Sequence, residues 1–245
     1  MNLRDSLIYP DWPAPANVKS LQTTRHGGLS LPPYDTLNLG LHVGDVPHVV
    51  ARNRQKLEPL MPSEPVWLEQ VHGTIVANAD AAACRVQADA CIAKQRGSVC
   101  VVMTADCLPV LLCDEAGTVV GAAHAGWKGL AAGIIEKTIK EMGVSPQKLM
   151  AWLGPAIGPE AFEVGGEVRE TFMAHDNKAA EAFTVHGEQG KFLADIYLLA
   201  RQRLNSSGIT RIYGGNYCTY HQKDKFFSYR RDGVTGRMGS FIWLA

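Results

Sequence analysis

The chain has no CxxC pair, no HxH pair, no surplus of either charge and no unbroken apolar run long enough to cross a bilayer. Each absence removes a class of protein. Six cysteines stand at positions 84, 91, 100, 107, 113 and 218; without close pairs they read as free thiols, mostly buried fillers, rather than a disulfide framework or a zinc knuckle. Lys plus Arg and Asp plus Glu are equal at 24 each, which argues against nucleic acid or an anionic membrane as the main partner. The longest apolar region, 98–127, is interrupted by Asp106, Asp114 and Glu115 and cannot span a membrane. The first twenty residues hold no apolar core and no small-residue cleavage site, so no secretory signal is expected and the location expected is the cytoplasm. No GxGxxG opens a helix and no Walker loop is present, which counts against dinucleotide and P-loop chemistry.

What is present is an ordinary globular balance: 245 residues, 46% hydrophobic, with no repeat and no linker beyond a proline-rich start. One domain over 1–245 is expected, with an extended N-terminal segment over 1–16. A strand is expected at 18–24, and "PPYDTLNLGLHVGD" reads as a loop. Asp45 and Pro47 then open a helix with Val50, Asn53, Leu57 and Leu60 on one face. Strand signals crowd the middle in "PVWLEQVH", "ADACIA", "SVCVVMTA", "PVLLCD" and "TVVGAAHA"; several are continuous rather than alternating, as in strands covered on both faces. A single helix with Leu130, Ile134, Thr138, Ile139 and Met142 on one stripe is expected after His124, ended by Gly143. "KLMAWLGP" reads as a strand, 164–173 and 195–206 as helices, the second capped by Asp195, and the C-terminal "FFSYRRDGVTGRMGSFIWLA" as a hairpin. Strands and helices do not alternate strictly, so the fold class expected is α+β with mixed β-sheets flanked by helices.

Three residues end apolar runs beside a helix breaker or a glycine. Cys107 lies in "TADCLPVLL", where Pro109 is expected to break or kink the strand. His124 lies in "GAAHAGWKG"; if 110–113 and 118–123 pair as a hairpin, Cys107 and His124 meet at its open end. His72 ends "WLEQVH" before a glycine. A thiolate and two imidazoles, far apart in sequence, suit a catalytic zinc site with one position left open. Taken singly, Cys107 also fits a buried filler or a nucleophile with His124 as base. Arg25 in "TTRHGG" and Arg230, beside Arg231 in "SYRRDG", are candidates to clamp phosphate or stack on a base. Asn38 in "TLNLG" is a candidate amide contact, and Asp89 and Asp106 are candidates to orient a ligand histidine. The other histidines, His26, His42, His48, His175, His186 and His221, form no pattern.

Taken together, "TTRHGGLS", "LNLG", "EQVHG", "TADCLPVLL", "HAGWKGL", "LGPAIGP", "FEVGGEV" and "FFSYRRDGVTGRMGSFIWL" resemble the YfiH-type laccase-domain family, from about residue 17 to the end. The resemblance implies an α/β/β/α sandwich akin to a Cys/His toxin deamidase, and metal ligands at His72, Cys107 and His124. It implies Zn²⁺ as cofactor, with copper as an adventitious occupant. It further implies phosphorolysis of adenosine, inosine and S-methyl-5'-thioadenosine, and deamination of adenosine. The partners would then be purine nucleosides and phosphate, with no nucleic acid and no membrane, on a monomeric enzyme. Three other readings stand beside it: a metal-free Cys107/His124 hydrolase, a factor that edits peptidoglycan precursors, and a copper polyphenol oxidase. The missing HxH pairs weigh against the last, whose trinuclear centre gathers many imidazoles.

Overall fold

Two sheets lie face to face, and the chain crosses from one to the other immediately before Cys107. The computed structural model describes residues 3–81, 86–187 and 190–245; Cys84 lies outside them. The strands are β1 (Val18–Gln22), β2 (Leu68–Glu69), β3 (Val76–Asn78), β4 (Val86–Gln87), β5 (Ala90–Ala93), β6 (Val99–Thr104) and β7 (Leu108–Asp114). They continue with β8 (Val120–Ala125), β9 (Leu149–Leu153), β10 (Glu163–Gly165), β11 (Phe183–Val185), β12 (Lys191–Ala194), β13 (Arg211–Gly214) and β14 (Met238–Leu244). The helices are α1 (Pro47–Gln55), α2 (Trp127–Ala132), α3 (Ile134–Met142), α4 (Gly166–Met173), α5 (Ile196–Ser206) and the single turn α6 (Tyr229–Asp232).

The larger sheet runs β13-β9-β7-β8-β5-β3, parallel at its two outer pairs and antiparallel between them. The smaller sheet is antiparallel, β1-β14-β6. Alternation along β7 explains the layering. Leu108, Val110 and Leu112 face α2 to α5 in one apolar cluster, while Leu111 and Cys113 face Cys100, Val102, Ile242 and Leu244 of the smaller sheet. The outer face of that sheet, with Leu21, Val101 and Phe241, is covered by Leu37, Leu39, Leu57 and Trp67. The architecture is therefore mixed α+β, with paired sheets between helical and irregular outer layers. β6, β7 and β8 are buried along their whole length, which is why their sequences are continuous and apolar.

Five sequence expectations need correction. The helix opened by Pro47 ends at Gln55, so Leu57 and Leu60 lie beyond it, Leu60 in a separate 3-10 turn over Glu58–Leu60. Pro109 does not end the strand: it is the second residue of β7 and stands opposite His124. The ladder to β9 starts one residue later at Val110, and the Pro109 carbonyl accepts from the Gly154 N–H at 2.9 Å, so the proline sits where the sheet has not yet closed on that side. The stripe after His124 forms two helices, because Gly133 adopts φ 95° and breaks the run between α2 and α3. The C-terminal segment is no hairpin; β14 inserts between β1 and β6, more than a hundred residues away in sequence, with the turn α6 ahead of it. The N-terminal segment is not wholly extended, since Leu3–Ser6 forms a 3-10 turn. Asp195 caps α5 as its sequence suggests, accepting from the Leu198 N–H at 2.9 Å.

Candidate metal centre

The β7–β8 hairpin sets two of the three residues. Register pairs Leu108 with Ala125 and Pro109 with His124, so Cys107, in the crossover just before β7, lies beside the inward-facing imidazole. His124 is 3% exposed. His72 arrives from the loop after β2, and that loop is held at both ends of its short course. Gln70 donates its amide N–H to the Met103 carbonyl at 2.8 Å and accepts from the Met103 N–H at 2.7 Å, tying the loop to β6. Asp89, fully buried, accepts from the backbone N–H groups of Val71, His72 and Gly73 at 3.2, 2.9 and 2.6 Å. The same carboxylate lies 2.8 Å from His124 Nδ1. One buried acid thus fixes the backbone of one histidine and the ring of the other, leaving His124 Nε2 for the cluster.

The donor atoms of His72, Cys107 and His124 all lie within 4.8 Å of one another, and Cys107 Sγ is 3.8 Å from His72 Nε2. The imidazole rings meet edge to face, 4.8 Å between centroids. Tetrahedral ligands on zinc stand roughly 3.5 Å apart, so the set needs only a small contraction to grip such an ion. A further feature fits: a Cβ on Gly126 would meet Cys107 Sγ at 2.9 Å, His72 Cδ2 at 2.9 Å and His124 Cε1 at 3.6 Å. Glycine keeps open the space that the three residues surround. Two non-glycine residues flank it in the left-handed region, His72 at φ 60° and Asp106 at φ 90°. Asp106 is held there by Thr219 Oγ1 and the Arg230 N–H, both donating at 2.6 Å, so it orients no histidine.

Electrostatics bind the group together. Burial opposes ionisation of Cys107, but the charge of His124 and hydrogen bonds from His124 and His72 outweigh it, and the thiol pKa falls to about 6. Burial likewise opposes protonation of His124, but the Cys107 thiolate and the Asp89 carboxylate raise its pKa to about 9. Asp89 is itself pulled down against burial, by His124 and by the Gly73 and Val71 N–H groups.

Cys107 stands where two chambers meet. One, about 420 Å³ and the more polar of the two, is lined by His42, Gln70, His72, His124, Tyr229 and Arg237 among others. The other, about 180 Å³, is mainly apolar and is formed by Trp127, Ile157, Phe162 and Ile196 with Tyr229 and Arg230. A cleft of about 460 Å³ beside the N-terminal segment, between Tyr9, Trp12, Lys19 and Trp243, holds no histidine, cysteine or carboxylate.

The remaining sequence candidates are dispersed. Arg230 borders the apolar chamber, with its guanidinium 5.7 Å from the centroid of the Phe162 ring and donating to the Glu163 carbonyl at 2.9 Å. Arg25 lines neither chamber; it pairs with Asp35 at 3.2 Å and donates to the Asp35 and Lys223 carbonyls. Asn38 is fully buried and uses its amide on Gly40, Asp45 and the Arg237 N–H. Arg231 is occupied by the Thr219, Tyr220 and Phe226 carbonyls and Asp232. Sequence reading missed Gln70, His42, Tyr229 and Arg237. Gln70 carried a signal, its place in "EQVHG"; the other three reach the site only through long-range packing.

The residues 19–245 match the family described as multi-copper polyphenol oxidoreductase laccase. The chain belongs to that family. It is 58% identical over 241 residues to purine nucleoside phosphorylase YfiH of Escherichia coli K12, covering 97% of this chain and 98% of that one. It is 52% identical to purine nucleoside phosphorylase PA4543 of Pseudomonas aeruginosa, with 97% and 98% covered. The crystal structure of NMB0706 from Neisseria meningitidis superimposes with a TM-score of 0.93 at 52% identity over 98% of this chain and 99% of that one. That of Bacillus licheniformis hypothetical protein YfiH gives 0.86 at 32% identity over 93% of each.

Proposed function

We propose that this protein is a zinc-dependent purine nucleoside enzyme. It carries out phosphorolysis of adenosine, inosine and S-methyl-5'-thioadenosine, and deaminates adenosine. The observation that carries the reading is the convergence of one thiol and two imidazoles on a space kept open by Gly126, at the junction of a polar and an apolar chamber. The relatives named purine nucleoside phosphorylase support the phosphorolysis part of it.

His72, Cys107 and His124 would hold the ion, which supplies Lewis acidity at the wall of the polar chamber. The rest is the work of the chain. Trp127, Phe162 and Ile157 offer the purine an apolar surface to stack on, and Arg230 closes that chamber's edge. The polar chamber takes phosphate and ribose. In phosphorolysis a phosphate oxygen forms the bond to C1′ as the C1′–N9 bond breaks. The purine leaves with that electron pair and takes the proton of hydrogen phosphate, so charge and atoms balance. Asp89 holds His124 in one orientation throughout. The same reading takes 1–245 as one domain, a cytoplasmic monomer that acts on neither nucleic acid nor membrane, with Arg25 and Asn38 contributing from outside the chambers.

Copper chemistry of the laccase type is disfavoured: His72, Cys107 and His124 are the one group able to hold a metal among the described residues, and a trinuclear centre needs several more imidazoles. Copper would still enter a thiolate–imidazole site adventitiously. A metal-free Cys107/His124 hydrolase draws support from the lowered thiol pKa. The deciding experiment incubates protein of measured zinc content with inosine or adenosine, with and without phosphate. Free purine and ribose 1-phosphate, formed only with phosphate and stopped by a chelator, are expected. Ammonia release from adenosine reports deamination. Zinc-replete protein that releases no purine would overturn the reading, and turnover that survives the chelator would favour the hydrolase.

A further inference from the structure

Within that reading, the geometry points to Arg237 as the residue that receives the oxyanion of phosphate, on the wall of the polar chamber beside His42 and the His72–Cys107–His124 group. The inference rests on the proposed function only for the identity of the anion.

Arg237 follows the turn α6 and immediately precedes β14, and it is held in place from several sides. Its backbone N–H donates to Asn38 Oδ1 at 2.9 Å, and its carbonyl accepts from the Leu39 N–H at 3.1 Å. The stem lies over Gly40, where a Cβ would meet Arg237 Cγ at 2.8 Å, so the side chain has one course to follow. Nη1 donates to the Thr235 and Gly236 carbonyls, both at 3.0 Å. The guanidinium carbon lies 5.8 Å from the centroid of the Tyr229 ring. Among the described residues, no carboxylate pairs with Arg237, and Nε and Nη2 engage no protein acceptor. A half-buried cation, pre-set in direction and with donors to spare, is the arrangement that binds a tetrahedral oxyanion through two parallel N–H groups.

The rival arginines are placed otherwise. Arg25 is committed to Asp35 and lines neither chamber. Arg230 borders the apolar chamber, where its Nη1 serves the Ala161 and Glu163 carbonyls. Asn38 acquires a role through this residue, since its amide oxygen fixes the Arg237 backbone.

The test uses the zinc-loaded full chain and inorganic phosphate. Phosphate binding, followed by ³¹P line broadening, should be lost in Arg237→Gln and retained in Arg25→Gln and Arg230→Gln. In phosphorolysis, Arg237→Gln should raise the KM for phosphate about 30-fold while the KM for inosine moves less than about three-fold, and Arg237→Lys should recover part of the loss. On wild-type protein, independently of how any variant folds, phosphate should slow phenylglyoxal modification of Arg237, read by peptide mass spectrometry. An unchanged phosphate KM in Arg237→Gln, loss of phosphate binding in Arg230→Gln instead, or no protection of Arg237 would each overturn the inference. Protection of Arg237 in a protein that releases no purine would keep the anion site and reject the nucleoside reading.

Discussion

Cys107 lies just ahead of β7 and Cys113 near its far end, and the two thiols differ in everything except composition. Cys113 is sealed between the sheets, and burial together with the Asp114 charge pushes its thiol pKa up to about 12. Cys107 sits where the chain leaves one sheet for the other, and two imidazoles pull its pKa down to about 6. The residue type carries no chemistry by itself. The end of the strand at which the backbone places it does, because one end meets apolar side chains from both sheets and the other meets His72, His124 and a glycine.

The sharpest way to test that contrast removes the low-pKa thiol. Cys107→Ala should weaken zinc binding by more than about 100-fold and abolish nucleoside turnover, since it deletes one of three donors. Elemental analysis and product chromatography read both effects, and full turnover by metal-free Cys107→Ala protein would defeat the zinc assignment. Gly126→Ala comes next. Its new methyl would sit 2.9 Å from Cys107 Sγ and His72 Cδ2, so zinc affinity and turnover should both fall at least about ten-fold while far-UV circular dichroism stays unchanged. Asp89→Asn should cost about 10–100-fold in zinc affinity by releasing the His124 ring and the 71–73 backbone, measured by competition with a chromogenic chelator.

These three variants also mark the boundary of what the sequence discloses. Cys107 and His124 could be brought together on paper because the hairpin that joins them is local, and its turn at Asp114–Gly117 is written in the residues. His72 could be added because its run ends before a glycine. Pro109 misled, since a proline near a strand's start is tolerated where the neighbouring ladder has not begun. Gly133 hid inside a sound helical stripe. The C-terminal segment defeated local reading entirely, because β14 finds its partners in β1 and β6 rather than across its own turn. Arg237 and Tyr229 share that segment's fate: Arg230 could be picked out beside them, but nothing local shows that Tyr229 and Arg237 line one chamber with His72, Cys107 and His124. Asp89 could be named from sequence as an acid that orients a ligand histidine, and it does hold the His124 ring; its three backbone partners in the 71–73 loop are what local reading could not supply.

Smaller effects probe the comparison from its other side. In metal-free protein, the rate of Cys107 alkylation by iodoacetamide should reach half its plateau near pH 6, while Cys113 stays unlabelled in the folded chain. The depressed thiol adds stability progressively as pH rises from about 6 towards its ordinary 9.0. The raised imidazole loses its own contribution between its ordinary 6.5 and about 9. The two slopes oppose one another, so the pair should leave the melting temperature nearly flat across that window, and a steep slope there would argue against the ion pair. Cys113→Ala should cost about 1 kcal/mol of stability and leave kcat untouched, a change that thermal melts and steady-state assays separate cleanly.

The single carboxylate of Asp89 has one more consequence. Because it anchors a loop through three amides and a ring on strand β8 through one nitrogen, the backbone beneath His72 and the orientation of the His124 ring belong to the polypeptide rather than to whatever ion arrives. Exchanging zinc for cobalt or another cation of similar radius should therefore alter colour and reactivity without re-tailoring the seat, and the seat outlasts its occupant.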